Sequence, residues 1–249
     1  MSATSQPTAH PGKIAVVTGA SSGIGAASAR ALAGDGWYVI AAARRFERVA
    51  ALAEEIGGEA LRLDVTKQDS VDALAARVAE LGGVDVLVNN AGGARGLEPV
   101  READEEKWRW MYEVNVLGTL RVSNALRPHL LECGGLLINI GSMASMTAYP
   151  GGAGYNAAKF GLRALTRVQR LEEAAEGAHL RVTQIDPGRV HTEEFSLNRF
   201  DGDAERAAAV YEDVLSLTAE DVAESVRWVA SLPAHVNIDH LHMMPRDQA

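Results

Sequence analysis

The sequence predicts an α/β domain built on one doubly wound parallel sheet of about seven strands, with helices on both faces. Short, almost wholly apolar runs alternate with amphipathic helical stretches, and most of the runs end in a cluster of glycine or small polar residues. Strands covered by helices on both sides are apolar throughout, and the helices between them act as crossovers that keep the strands parallel. The 249 residues contain no repeat, low-complexity tract or interdomain linker, which suits one domain over 13–249.

Ile14 to Thr18 is the first strand, closed by Gly19-Ala20-Ser21-Ser22-Gly23-Ile24-Gly25 and followed by a helix over Ala26 to Ala33. Trp37 to Ala42 is the second strand, leading into Ala43-Arg44-Arg45 and a helix from Phe46 to Ile56. Ala60 to Leu63 ends in Asp64-Val65, with a helix over Gln68 to Leu81, and Val84 to Val88 ends in Asn89-Asn90-Ala91-Gly92. One long helical region, Glu102 to Leu131, carries Asn115. Leu136 to Ile140 is the fifth strand, ending in Gly141-Ser142, and the helix bearing Tyr155 runs to about Glu176. Leu180 to Ile185 ends in Asp186-Pro187-Gly188. Residues 190–211 lack a sustained apolar period beyond one short helix over Ala204 to Tyr211, and are expected to form a lid. A helix over Ala219 to Ser231 and a last strand over Val236 to Met243 complete the chain.

Composition narrows the function. Hydrophobic residues at 47% and charged residues at 23% describe a folding, globular chain rather than a disordered one. A formal charge of −9 argues against general nucleic-acid binding, which needs clustered Lys and Arg, and favours a small-molecule substrate. Cys133 is the single cysteine, so neither an internal disulfide nor a cysteine zinc cage is available, and a reducing cytoplasm is the expected compartment. No apolar stretch reaches the length of a bilayer span. Residues 1–12 have no apolar core of a signal peptide and are expected to be a disordered lead-in.

Two patterns carry chemistry. In Tyr155-Asn156-Ala157-Ala158-Lys159 the phenol and the ammonium lie four residues apart and share a helix face. Bringing a tyrosine of pKa about 10 near neutrality requires roughly 4 kcal/mol of preferential phenolate stabilisation, part of which a lysine and a cationic cofactor ring can supply. The glycine turn after the first strand lets a ligand approach the backbone and exposes the unpaired N–H groups of a helix start, where pyrophosphate fits. Each pattern alone also has a plain structural reading, as a core aromatic with a solvated lysine and as a simple turn. His240 and His242 would share a strand face, but no convincing further metal ligand accompanies them.

Taken together and in order, these motifs resemble the short-chain dehydrogenase/reductases from about Lys13 to the end of the chain. The resemblance implies a Rossmann-like fold in which Asn115, Ser142, Tyr155 and Lys159 are the catalytic four. Tyr155 would exchange a proton with the substrate oxygen, and Lys159 would depress its pKa and hold the nicotinamide ribose. Ser142 would hydrogen-bond the carbonyl or alkoxide, and Asn115 would hold a water linking Lys159 to solvent. It also implies cofactor contacts from Gly19, Ser21, Ser22, Gly23, Ile24 and Gly25, from Asp64 at the adenine with Val65, and from Asn90, Ala91 and Gly92. Pro187, Gly188, Val190 and Thr192 would lie on the nicotinamide side. Ala43 stands where an NAD-selective site would carry an acid, and Arg44 and Arg45 follow it, so NADP is the expected cofactor.

The stretch from Asn90 to Pro99, the lid from Thr192 to Phe200 and the tail from Leu232 to Pro245 are similar to the NADP-dependent 3-hydroxy acid dehydrogenases, while Arg189-Val190-His191 departs from that pattern. The substrate implied is a small 3-hydroxy acid or 3-hydroxy amino acid, its carboxylate met by Arg95, Arg189 or Arg199. If those arginines are solvated or pair with Glu98, Glu193 and Glu194, the pocket would instead take neutral ketones. A catalytically silent cofactor-binding regulator is the reading from another class, and the presence of all four catalytic candidates speaks against it. The resemblance further implies a homotetramer using the Glu102 to Leu131 and Tyr155 to Glu176 helices at one interface and the C-terminal strand at another.

Overall fold

Val, Ile and Leu dominate the inner apolar runs, and branched side chains pack well on a pleated surface that is buried on both faces. In the computed structural model, which describes residues 12–248, these runs form β1 (Ile14–Thr18), β2 (Tyr38–Ala43), β3 (Glu59–Arg62), β4 (Val86–Asn89), β5 (Leu136–Ile140), β6 (Arg181–Pro187) and β7 (His240–Met243). The expected lead-in over 1–12 lies, apart from Gly12, outside the described residues. The seven strands make one sheet in the order β3-β2-β1-β4-β5-β6-β7, and every pair is parallel. The chain winds outward from β1 to β3 and then returns to lay β4 against the other side of β1. The winding therefore reverses between β1 and β4, and a crevice opens there at the carboxyl ends of the strands.

The helices are α1 (Gly23–Gly34), α2 (Phe46–Ile56), α3 (Gln68–Glu80), α4 (Glu105–Tyr112), α5 (Gly118–Glu132), α6 (Ala153–Ala175), α7 (Phe195–Arg199), α8 (Ala204–Ala209) and α9 (Ala219–Ser231). Alternate strand residues feed opposite cores. Ala15 and Val17 of β1 pack with Leu32 of α1, Val49 of α2 and Val222 and Val226 of α9. Ile14 and Val16 pack with Leu74 and Val78 of α3 and with Val122, Leu126 and Leu130 of α5.

Three expected elements differ in detail. The long helical region divides into α4, a π turn over Glu113–Leu117, and α5. Asn115 causes the break locally, because its Nδ2 donates to the Met111 carbonyl at 2.7 Å and so competes for a helix acceptor. The lid contains a second short helix, α7, which its weak apolar period did not disclose. The last strand begins at His240, not Val236, because Asn237 caps the edge of β6 by accepting from the Val182 N–H at 2.9 Å through its side chain.

A polar seam crosses the interior where a continuous apolar core would otherwise run. Asn89 Nδ2 donates to Asn139 Oδ1 at 3.0 Å and Ser123 Oγ at 2.9 Å, and Asn139 Nδ2 donates to Thr166 Oγ1 at 2.8 Å. All four side chains are buried, so each bond offsets a desolvation cost. Replacing Asn89 with Ala strands the Asn139 acceptor, and we expect it to cost about 1–3 kcal/mol. Urea unfolding should show a lowered midpoint at unchanged slope.

Candidate active site

The glycine turn is held open by bonds made behind it. Thr18 Oγ1, at the end of β1, accepts from the main-chain N–H groups of Asn90 and Ala91, each at 3.0 Å. Asn90 Nδ2 returns to the Thr18 and Gly19 carbonyls at 3.1 and 3.2 Å. A Cβ at Gly25 would stand 2.4 Å from Asn90 Nδ2 and 2.5 Å from the Gly19 oxygen, so the joint closes only around glycine. Gly19 itself has φ +66°, a left-handed conformation that glycine adopts freely. Ser22 at the N-cap of α1 makes no capping bond to the first turn, and that turn carries no acid. Its N–H groups are therefore available to an anion, which fits a dinucleotide pyrophosphate.

The two arginines after β2 have different partners. Arg44 is exposed and makes no ion pair among the described residues. Arg45 donates to Ser21 Oγ from Nε and Nη2 at 3.1 and 2.8 Å, to Ser22 Oγ at 3.0 Å, and to Glu194 Oε1 of the lid at 2.7 Å. The Arg45 bond, aided by Ser22 and Arg48, holds the Glu194 carboxyl at about 2, well below the usual range. Burial pushes Asp64 upward, but the main-chain and hydroxyl bonds from Thr66, with Arg44 and Lys67 nearby, keep it below its ordinary value.

Tyr155 and Lys159 lie on the first turns of α6 and are 8% and 5% exposed. The Lys159 ammonium sits 5.7 Å from the Tyr155 ring centre and donates to the Ile140 carbonyl at 3.0 Å. Ser142 caps the short 3-10 turn after β5, its Oγ accepting from the Ala144 N–H at 3.2 Å, and lines the same cavity as Tyr155. Asn115 is buried on the opposite wall, where its Nδ2 donates to Gly93 O at 2.9 Å and its Oδ1 accepts from Gly93 N at 3.2 Å. The four expected catalytic residues thus converge. The Asn115 amide, however, is spent on main-chain groups and is not free to hold a water through its donors.

The electrostatics of the protein alone run against the expected depression of the tyrosine pKa. Burial pushes the Tyr155 phenol above its ordinary value, and the Ser142 side chain and the Arg199 charge only partly oppose this. Burial also pulls Lys159 down, to about 8, although the Asp186 carboxylate resists. Desolvation disfavours both charged forms, and at a separation of 5.7 Å the ammonium does not overcome it.

The lid supplies the far wall. Phe195 and Arg199 are four apart on α7 and face the same way. Phe195 meets the Tyr155 ring edge-on at 5.8 Å, and the Arg199 guanidinium lies 5.9 Å from the centre of that ring. Arg199 is anchored by the Gly96 carbonyl at 2.9 Å and the Tyr149 hydroxyl at 3.2 Å. Arg95 and Arg189 also line the cavity, but Arg95 stacks over Trp110 and pairs with Asp201 at 2.8 Å, and Arg189 donates to the Leu215 carbonyl at 3.3 Å. Neither pairs with Glu98, Glu193 or Glu194, since Lys107 takes Glu98 and Arg45 and Arg48 take Glu194. Tyr149, Glu194 and Phe195 have no motif of their own and stood out only as neighbours of motif residues. One cavity of about 720 Å³ runs from Arg44 and Asp64, past the glycine turn, Val65, Ala91, Gly92, Pro187, Gly188, Val190 and Thr192, to Tyr155 and Arg199.

Known proteins are similar to this chain over nearly its whole length. An uncharacterized oxidoreductase of Mycobacterium tuberculosis is 54% identical over 238 residues, covering 95% of this chain and 92% of that protein. The NADP-dependent 3-hydroxy acid dehydrogenase of Salmonella typhi is 43% identical over 240 residues, covering 95% and 96%. The solved closed form of a serine dehydrogenase complexed with NADP+ superposes with a TM-score of 0.90 at 41% identity, covering 95% of this chain and 96% of that one. With the family model for short chain dehydrogenases matching residues 13–200 as well, the chain belongs to the short-chain dehydrogenase family.

Proposed function

We propose that the protein is an NADP-dependent dehydrogenase that oxidises a small 3-hydroxy acid or 3-hydroxy amino acid at its 3-hydroxyl group. The observation that carries the substrate class is the Arg199 guanidinium, held 5.9 Å from the Tyr155 ring by the lid. A planar guanidinium grips a carboxylate by two parallel bonds, and so presents the 3-hydroxyl to the phenol in one orientation. Relatives named for 3-hydroxy acids and serine support the same reading. Phe195 and Tyr149 close the pocket around the substrate carbon chain and keep bulk water from the reacting bond.

At the cofactor end, the α1 N-terminus and the glycine turn hold the pyrophosphate, and Asp64 with Val65 borders the adenine. The exposed Arg44, with Arg45 anchored to Ser21 and Ser22, receives the 2′-phosphate. NADP, when bound there, would supply the hydride acceptor or donor. Tyr155 accepts the alcohol proton through its phenolate, and the Ser142 hydroxyl donates to the oxygen where negative charge develops. Lys159 supplies the positive charge beside the phenol and reaches toward the ribose. Asn115 acts by holding the Gly93 main chain and the π turn that shape this wall.

We infer a homotetramer. Tyr112 of α4 and Phe160, Val168 and Leu171 of α6 are large apolar side chains left between 45% and 60% exposed, and β7 presents an unpaired outer edge. Light scattering at micromolar concentration should give four times the chain mass, and a monomer would reject the assembly. We place the enzyme in the cytoplasm, consistent with a chain whose single cysteine, Cys133, is free. No helix among the described residues is long and apolar enough to cross a membrane.

Tyr155→Phe should lower kcat by at least about 100-fold while NADP+ binding, followed by fluorescence quenching, stays near normal. Near-normal turnover would refute the proton-transfer role. For the substrate, kcat/KM of a 3-hydroxy acid should exceed that of its methyl ester by about tenfold or more, and Arg199→Met should bring the two together. Equal efficiency in the unmodified protein would point to a neutral ketone or alcohol pocket instead.

A further inference from the structure

Asp186, next to the turn that follows β6, is absent from the catalytic set, yet it is 0% exposed and lies directly behind it. Its Oδ1 accepts from the Ser142 main-chain N–H at 2.7 Å and from Gln184 Nε2 at 2.9 Å. Its Oδ2 accepts from Ser145 Oγ at 2.7 Å and Gln184 Nε2 at 2.9 Å, and lies 2.8 Å from His240 Nε2 of β7. Burying a carboxylate costs several kcal/mol unless its lone pairs are met, and here every ligand is a neutral donor or an imidazole, with no Arg or Lys in contact. The sequence accommodates the group at a cost elsewhere. A Cβ at Gly141 would fall 1.7 Å from Asp186 Oδ1, so the residue before Ser142 has to be glycine for the carboxylate to reach the main chain.

We propose that Asp186 is a positioning residue for the hydride-transfer centre. It fixes the Ser142 main chain and, with His240 as its solvent-side partner, sets the electric field felt by Tyr155 and Lys159. The proposal rests on the proton-transfer role given above to Tyr155. Position and charge both act along short paths. The N–H held by Oδ1 belongs to Ser142, which lines the cavity beside Tyr155, and Lys159 donates to the Ile140 carbonyl two residues earlier; the carboxylate's charge raises the proton affinity of both Tyr155 and Lys159. The titratable groups facing Asp186 are Tyr155 and Lys159 of α6 and His240 of β7. His242 stacks behind His240, with ring centres 6.3 Å apart at 10°. The His240 side chain is 30% exposed, so it links a fully buried carboxylate to solvent. A donor or cation at Nε2 weakens the field of Asp186 at the phenol, and its loss strengthens that field.

The sign follows for two variants. Asp186→Asn removes the negative charge, so the Tyr155 phenol should ionise at lower pH. His240→Ala removes a donor to that charge and leaves it intact, so the phenol should ionise at higher pH. A residue that merely holds the sheet together would not move the titration in opposite directions. The experiment uses full-length protein carrying tyrosine labelled with 13C at Cζ, saturated with NADP+, the Tyr155 resonance being identified by its loss in Tyr155→Phe. The expected shifts are about half a pH unit or more in each direction. In turnover, Asp186→Asn should lose about tenfold or more in kcat with the KM for NADP+ within about twofold. A Tyr155 titration that stays in place in either variant overturns the proposal, even if kcat falls. If circular dichroism shows that Asp186→Asn does not fold, His240→Ala decides alone. The titration needs no alcohol, so failure of the 3-hydroxy acid assignment leaves it standing, and failure of Tyr155→Phe to lose activity would be seen separately.

Discussion

Two strands separated by some seventy residues must end side by side with almost no space between their loops, and most of the site follows from that closure. Thr18 and Asn90 make the joint, exchanging main-chain and side-chain hydrogen bonds across the point where the sheet reverses direction. Only glycine fits at Gly25, where any side chain would displace the Asn90 amide. With the turn pressed against β4, the start of α1 has no side-chain cap and no acid in its first turn, so its N–H groups are available to an anion. The same closure brings Gly92 and Gly93 against Asn115, which links the cofactor cradle to the π turn between α4 and α5.

Burial has opposing consequences at the reacting end. Excluding water strengthens every charge–charge interaction there, but it also penalises the charged forms on which proton transfer depends. In the protein alone the penalty prevails: the Tyr155 phenol rises and Lys159 falls to about 8. A phenol held neutral is ready to donate a proton to a ketone, whereas acting as a base requires further positive charge beside it. Lys159, Arg199 and a cationic nicotinamide ring are the groups able to provide it.

Residues 194–199 touch both ends of the cavity. Glu194 reaches back to Arg45 and Arg48 beside the glycine turn, while Phe195 and Arg199 on the next helical turns reach forward to Tyr155. The Gly96 N–H further ties the lid through the Arg199 carbonyl at 2.8 Å. Segments that must both order and release around a substrate are commonly built from such short pieces with few core contacts.

Local chemistry made much of this legible without coordinates. Apolar runs spaced by amphipathic helices dictate a parallel sheet, a glycine-rich strand end dictates close approach, and Tyr155 and Lys159 share a face because a helix turns every 3.6 residues. Which arginine lies beside Tyr155 was beyond the sequence: Arg95, Arg189 and Arg199 are alike in kind, and only the fold directs the first to Asp201, the second to a main-chain carbonyl and the third to Tyr155. The short helix α7, the late start of β7 and the division of roles between Arg44 and Arg45 also depend on partners far away in the chain. The same is true of the direction of the Tyr155 and Lys159 shifts, since desolvation depends on what surrounds a group in space. The sequence by itself determined the sheet, the glycine cradle and the Tyr–Lys pair, because those arise from neighbours along the chain. Tertiary structure alone decided the direction of the pKa shifts, the guanidinium beside Tyr155 and the carboxylate behind Ser142, because each is set by groups that meet only when distant segments pack.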